Sequence, residues 1–172
     1  MKIGHYAWML CAGLLLSCSH PQTESNPAKL LGKPMVLPED IWEVTHVAPS
    51  GLKILVYYNQ EGCTSCRLKQ LPNWKDLVIE VEHIKQKKSL AVDFVFVFQA
   101  SPDNPVFAKK IREYGFDYPV YYDAEGFFEK NNILPENTMY HCFLLSEHNQ
   151  ILLIGAPIFS PKLWDHYKNC FE

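Results

Sequence analysis

The sequence has little excess charge of either sign. Its formal net charge is −3, and it contains no basic stripe interleaved with aromatics, so nucleic acid is not an expected partner. The mild basic cluster Lys85-Gln86-Lys87-Lys88 reads as the solvated end of a helix, where cations suit the dipole. Six cysteines are too few for a disulfide-dense scaffold, and no internal repeat is visible. A length of 172 residues holds one ordinary domain plus a leader, and hardly two. What is present is apolar side chain: 48% of residues are hydrophobic and 13% aromatic, enough to bury a core and too much for a disordered chain.

The first residues read as a leader. Lys2 supplies a positive start, and Ile3 to Leu16 is mostly apolar despite His5. A segment this short, ending in small residues, fits a secretory signal over residues 1–17 better than a spanning helix. Leu15-Leu16-Ser17-Cys18 resembles a bacterial lipobox, which implies cleavage before Cys18 and acylation of its thiol and new amine. An ordinary signal with an incidental cysteine is the alternative. Cys11 would leave with the leader. Ser19 stands where an aspartate would resemble an inner-membrane retention signal, so the expected location is the bacterial cell envelope, lipid-anchored at the outer membrane. Residues 18–38, rich in Pro, Ser, Asn and Gln without a sustained apolar period, read as a flexible tether. The domain is then expected over residues 39–172.

Lys53-Ile54-Leu55-Val56-Tyr57-Tyr58 and Asp93-Phe94-Val95-Phe96-Val97-Phe98 are continuous β-branched and aromatic runs, as strands buried on both faces should be. Between them Trp74, Leu77, Val78, Val81 and Ile84 recur at helical spacing out to about Lys88, with Pro72 set to kink or restart the helix. Pro102-Asp103-Asn104-Pro105 opens a helix on which Phe107, Ile111 and Tyr114 share a face, ended by Gly115. A third strand is expected over Tyr118 to Tyr122, then a short helix near Phe127 to Asn131. His141 to Leu145 and Gln150 to Ile154 flank the turn Glu147-His148-Asn149 as an antiparallel hairpin. Leu163, Trp164 and Tyr167 mark a last helix. Strands alternating with helices, then a hairpin, predict an α/β sandwich with a mixed central sheet.

The chemistry centres on Cys63-Thr64-Ser65-Cys66. A Cys-x-x-Cys pair directly after a buried strand, at the start of a helix, puts the first thiol by unpaired N–H groups, which favours thiolate. Cys63 is then the nucleophile and Cys66 the resolving thiol, with Arg67 and Lys69 adding positive potential. Two cysteines at this spacing also bind metal or form an inert bridge, and the strand–turn–helix setting favours redox use.

In these residues the chain resembles the thioredoxin-like redoxins, particularly exported thiol–disulfide oxidoreductases of the cytochrome-maturation type. The likeness runs from about Lys53 to Phe171. It rests on Ile54 to Tyr58 leading into Cys63-x-x-Cys66, on Glu113-Tyr114-Gly115-Phe116-Asp117-Tyr118-Pro119-Val120, and on Phe143-Leu144-Leu145-Ser146 with its hairpin. The resemblance implies a thioredoxin-like sandwich, exported thiol or disulfide proteins as partners, and no cofactor. It also implies a substrate groove formed by Thr64, Ser65, Tyr140 and His141.

Three positions depart from the family pattern. Tyr140 occupies the place of the family's cis-proline; a cis bond there would cost roughly 3–4 kcal/mol, so a trans bond and a reshaped groove are expected. The buried acid of the first strand maps to Tyr57, and the aromatic residue before the first cysteine is Gly62. A peroxiredoxin-type site is disfavoured, because Asn59 and Cys63 stand where a proline and threonine are expected relative to Cys66. His141 and Cys142, beside the vacant proline position, resemble the arrangement of the Sco copper chaperones. An alternative reading therefore has Cys63, Cys66 and His141 holding Cu(I), with Cys142 as a fourth ligand; the plainer one has His141 capping the strand and Cys142 in the core. A third reading is a non-catalytic binding lipoprotein with a structural Cys63–Cys66 disulfide. Cys170 is expected on the apolar face of the last helix, with a Cys142–Cys170 disulfide left open. His46, His83, His148 and His166 show no ligand spacing, and Glu39-Asp40 reads as the approach to an element.

Overall fold

The computed structural model describes residues 23–59 and 68–171. The leader, Cys18 and the segment carrying Cys63, Thr64, Ser65 and Cys66 lie outside the described residues. The strands are β1 (Thr23–Glu24), β2 (Leu52–Tyr58), β3 (Val92–Phe98), β4 (Val120–Tyr122), β5 (Leu134–Pro135), β6 (Cys142–Leu145) and β7 (Ile151–Ile154). The helices are α1 (Ile41–Thr45), α2 (Leu71–Lys88), α3 (Pro105–Glu113), α4 (Phe127–Asn131) and α5 (Pro161–Asn169). Short 3-10 turns occupy Pro27–Leu30, Thr138–Tyr140 and Pro157–Phe159.

Five strands form one mixed sheet in the order β4-β3-β2-β6-β7. β2, β3 and β4 run parallel, and β6 and β7 return antiparallel. The central position of β2 explains its continuous apolar run: with neighbours on both edges and layers on both faces, Ile54, Leu55, Val56 and Tyr57 have no solvent side. Pro72 falls in the first turn of α2, where its missing N–H costs nothing, so the helix begins there without a kink. Lys85, Lys87 and Lys88 complete its last turn. Gly115, at φ +60°, ends α3 in the left-handed region that glycine enters without strain. The third strand is shorter than its pattern suggested, pairing only from Val120 onward.

Side chains alternating along the strands split the core in two. On one face Ile54, Val56, Tyr58, Phe94, Phe96 and Phe98 pack beneath Leu71, Trp74 and Val81 of α2 and Trp164 and Tyr167 of α5. On the other, Leu55, Tyr57, Val95, Val97, Phe143 and Leu145 meet Leu30, Met35, Ile41, Val47, Phe128 and Leu134.

The second face corrects the tether expected over residues 18–38, because the chain is folded from Thr23 on. β1 pairs in parallel with β5. Leu30 and Met35 are buried, Gly32 donates to the Ile151 carbonyl at 2.8 Å, and Met35 donates to that of Asn149 at 2.8 Å. Buried Asn132 clamps Val36 from both sides: its Oδ1 accepts from the Val36 N–H at 2.8 Å, and its Nδ2 donates to the Val36 carbonyl at 3.0 Å. Two apolar anchors and a set of backbone bonds hold a stretch whose composition alone reads as a linker. The folded unit therefore starts well before residue 39.

Candidate functional site

The described chain brackets the cysteine segment at Asn59, after β2, and at Leu68, before α2; both are buried. The end of β2 and the start of α2 meet at a cavity lined by Tyr57 and Tyr58 of β2 and Gln70 and Trp74 by α2. Its other walls are Thr138, Met139, His141 and Cys142 on the loop into β6, and Ala156 and Phe159 beyond β7. Its floor is rigid. The Trp74 indole N–H donates to the Tyr58 hydroxyl at 2.9 Å, and the Tyr58 ring stacks on Phe98 with centroids 4.6 Å apart.

The loop 136–141 closes one side. Asn137 accepts the Met139 N–H through its side chain at 3.0 Å, the capping bond that suits Asn to the start of a short helical turn. That turn leaves Met139 and Tyr140 exposed, Met139 lining the cavity, and carries His141 inward. Every peptide bond among the described residues is trans, the one before Tyr140 included, as the cost of a non-proline cis bond requires.

His141 is buried, and its Nε2 lies 2.8 Å from the Pro135 carbonyl. The carbonyl can only accept, so Nε2 carries a hydrogen. The ring sits 5.7 Å from that of Tyr57, which itself stacks on Phe128 at 5.2 Å. The backbone is pinned as well: the His141 N–H donates to Thr138 O at 3.1 Å, and its carbonyl accepts from Tyr57 N–H at 2.9 Å. His141 thus does more than cap a strand.

Cys142 behaves as a core residue. Its thiol lies 3.6 Å from the Tyr167 hydroxyl, whose single hydrogen is donated to Gly155 O at 2.9 Å. The thiol must therefore be the donor, and burial pushes it up to about 12. Among the described residues no group of three His, Cys, Asp or Glu side chains is arranged to hold a metal ion; Cys63 and Cys66 are not among them. Cys142 and Cys170 are both free, so the disulfide between them is not formed. Cys170 is exposed just past α5, a correction to its expected place on the apolar face; partial burial raises its thiol.

Sequence reasoning identified Tyr140 and His141 as groove residues; His141 lines the cavity, and Tyr140 is not among its lining residues. It missed Gln70, Met139 and Phe159, which belong to no periodic apolar face. It also missed the depth of Lys53, which is fully buried. The Lys53 ammonium donates to Ser146 O at 3.2 Å and Glu147 O at 3.0 Å and lies over Trp42 at 5.5 Å, while burial lowers its affinity for the proton. A lysine inside a strand-like run was the available signal.

A mixed five-stranded sheet in the order β4-β3-β2-β6-β7 with helices on its faces is the thioredoxin-like fold. One solved structure supports the fold, and others are similar at lower scores. A thiol:disulfide interchange protein DsbE from Chlorobium tepidum is similar at TM-score 0.52 and 12% identity, over 72% of this chain and 82% of that one. The thioredoxin domain of a thiol-disulfide oxidoreductase from Bacteroides vulgatus gives 0.45 and 12%, over 72% and 81%. Peroxiredoxin Q from Xanthomonas campestris gives 0.49 and 14%, over 80% and 98%. No protein-family model and no curated protein matches the sequence.

Proposed function

We propose that this chain is a lipid-tethered thiol–disulfide oxidoreductase of the bacterial cell envelope, acting through Cys63 and Cys66 on exported proteins or small disulfides. One observation carries the reading: Cys63-x-x-Cys66 belongs to the segment that joins the central strand β2 to α2 in a thioredoxin-like fold. In the reductive direction the Cys63 thiolate attacks a substrate disulfide, forming a mixed disulfide and releasing one substrate thiol. Cys66 then attacks Cys63, releasing the second thiol and leaving the Cys63–Cys66 disulfide. Two electrons pass from the dithiol to the substrate, and no cofactor is needed. Thr64, Ser65 and the exposed rim of Met139, Tyr140 and Phe159 give the substrate its contact surface. The anchor follows from Cys18; among the described residues no helix is long and apolar enough to cross a membrane.

The test is exchange with a model disulfide, together with a redox titration of the pair. Cys63→Ser should abolish turnover, whereas Cys66→Ser should trap the mixed disulfide. Turnover that survives Cys63→Ser sinks the proposal, as does a reduction potential below about −300 mV, the range of structural bridges. Cys18→Ala should move the protein from the membrane fraction to a soluble or unprocessed form; unchanged detergent partitioning removes the anchor from the proposal.

A further inference from the structure

Three exposed aliphatic side chains stand beside residues buried in the core. Leu31 follows Leu30, Val36 follows Met35, and Ile133 precedes Leu134. Leu30, Met35 and Leu134 belong to one buried cluster on the sheet's second face, so their exposed neighbours lie on the outer side of the layer that covers it. Asn132 joins two of them: its side chain holds the Val36 backbone at 2.8 and 3.0 Å, and Ile133 is the next residue. An isolated exposed aliphatic needs no explanation, but these three share their place with the point where the chain enters the fold.

β1 is the first described element, and its parallel pairing sets Thr23 against Leu134, next to Ile133. In the lipid-tethered reading the acyl chains sit on Cys18, five residues before Thr23. Five residues reach at most about 18 Å when fully extended. A domain of this size has a radius of gyration of about 15 Å and measures about 40 Å across. The link from lipid to fold is thus shorter than half the domain's width, and it ends beside Ile133. The opposite side of the domain cannot reach the bilayer while the anchor holds.

We propose that Leu31, Val36 and Ile133 form a docking patch that seats the domain on the lipid surface holding its anchor, an inference that rests on the lipid-tether reading above. Because the anchor keeps the patch within reach, a contact too weak to bind from solution suffices, as for any linked second site. Apolar contact has to carry it. Lys29 and Lys33 both attract the Glu24 carboxylate, and exposed Glu136 donates its N–H to the Glu24 carbonyl. Two cations and two acids therefore cancel at this corner. The patch should then seat on zwitterionic lipid and tolerate salt, unlike a basic patch.

Seating also sets where the cavity lies. Glu24 pairs with Pro135, whose carbonyl lies 2.8 Å from His141 Nε2 in the cavity wall. The seated corner and the cavity are joined through one residue, which keeps the cavity near the lipid surface.

The test uses the full acylated chain, with labelled Ile, Leu and Val methyl groups, in phosphatidylcholine nanodiscs containing a gadolinium-chelate headgroup lipid. Mass spectrometry first checks acylation at Cys18. Paramagnetic broadening at Leu31, Val36 and Ile133 should exceed that at Ile79 several-fold; Ile79 is as exposed but lies on α2, across the sheet. The double variant Val36→Ser, Ile133→Ser changes exposed positions only, and unchanged Leu30 and Leu134 methyl shifts check its fold. It should stay on the disc through Cys18 while the excess broadening at Leu31 falls several-fold. Equal broadening at all four residues of the parent overturns the proposal. So does a Leu31 excess that survives in the double variant, because the short link alone would then orient the domain. Methyl shifts that follow the number of chains per disc would assign the patch to a second copy, and overturn it too. A chain without acyl groups strikes the anchor reading, and docking falls with it; an acylated chain that broadens evenly strikes docking alone.

Discussion

One face of the central sheet carries Phe94, Phe96 and Phe98 under three helices, α2, α3 and α5; the other carries Val95, Val97 and Tyr57 under short helices and irregular segments. The helical face is held by area. Trp74 meets Phe94 and Phe96 edge-on, each with centroids 5.9 Å apart, and Trp164 packs beside Tyr167 and Phe171. The irregular face is held by single apolar anchors set beside particular hydrogen bonds: Gly32 donates to the Ile151 carbonyl near Leu30, Met35 donates to the Asn149 carbonyl in the turn before β7, and Asn132 clamps the Val36 backbone. The cavity lies where the two regimes meet: Trp74 and Cys142 come from the first, and His141 and Tyr57 adjoin the second. Broad packing supplies a firm floor, and hydrogen bonds supply a ring in one orientation.

The largest effect expected from this contrast is at Trp74. Trp74→Ala removes a fully buried ring and should cost about 3–5 kcal/mol, with a further loss because the Tyr58 hydroxyl loses its indole donor. Urea denaturation measures it through the midpoint. A loss under about 1 kcal/mol would mean that α2 is not the main cover of that face.

A smaller effect is expected at Leu30, and it bears on where the domain begins. Leu30 is buried at 1% exposure, so Leu30→Ala should cost about 2–4 kcal/mol. In a tether the same change would stay within about 0.5 kcal/mol. The two substitutions are well separated in the fold, so their costs should add in the double variant.

The same contrast explains what was legible in the sequence. Strands β2 and β3 and helices α2 and α3 were visible because area-driven packing writes itself as a period: continuous apolar runs for doubly covered strands, and 3.6-residue recurrence for Trp74, Val81, Phe107 and Ile111. The irregular face has no period to read. Leu30 and Met35 stand alone among Pro, Asn and Lys, and their burial depends on partners about a hundred residues away, such as Asn132 and Ile151. The site divides in the same way. His141 was identifiable as a cavity residue from its position relative to the Phe143-Leu144-Leu145 strand. The bond from His141 to Pro135, the Trp74–Tyr58 contact and the inertness of Cys142 depend on three-dimensional neighbours. Cys63, Thr64, Ser65 and Cys66 remain a sequence reading, since they lie outside the described residues.

The smallest effect is expected at the two remaining cysteines, and it separates them by environment. Cys142 is enclosed, its thiol donating to Tyr167 and pushed up to about 12 by burial, so the native protein presents no Cys142 thiolate to an alkylating reagent. Labelling there has to wait for opening of β6 against α5, an event near the global stability, since β6 lies inside the sheet. Cys170 is exposed, and partial burial raises its thiol, so it should label slowly at pH 7 and faster as the pH rises, without denaturant. Cys170→Ser is a near-isosteric change at an exposed position and should change stability by no more than about 0.5 kcal/mol. Timed alkylation with peptide mapping, with and without urea, measures both. Labelling of Cys142 at the rate of Cys170 in native buffer would show that the helical face opens as easily as a chain end, and the distinction between the two faces would fail at the point where it meets the site.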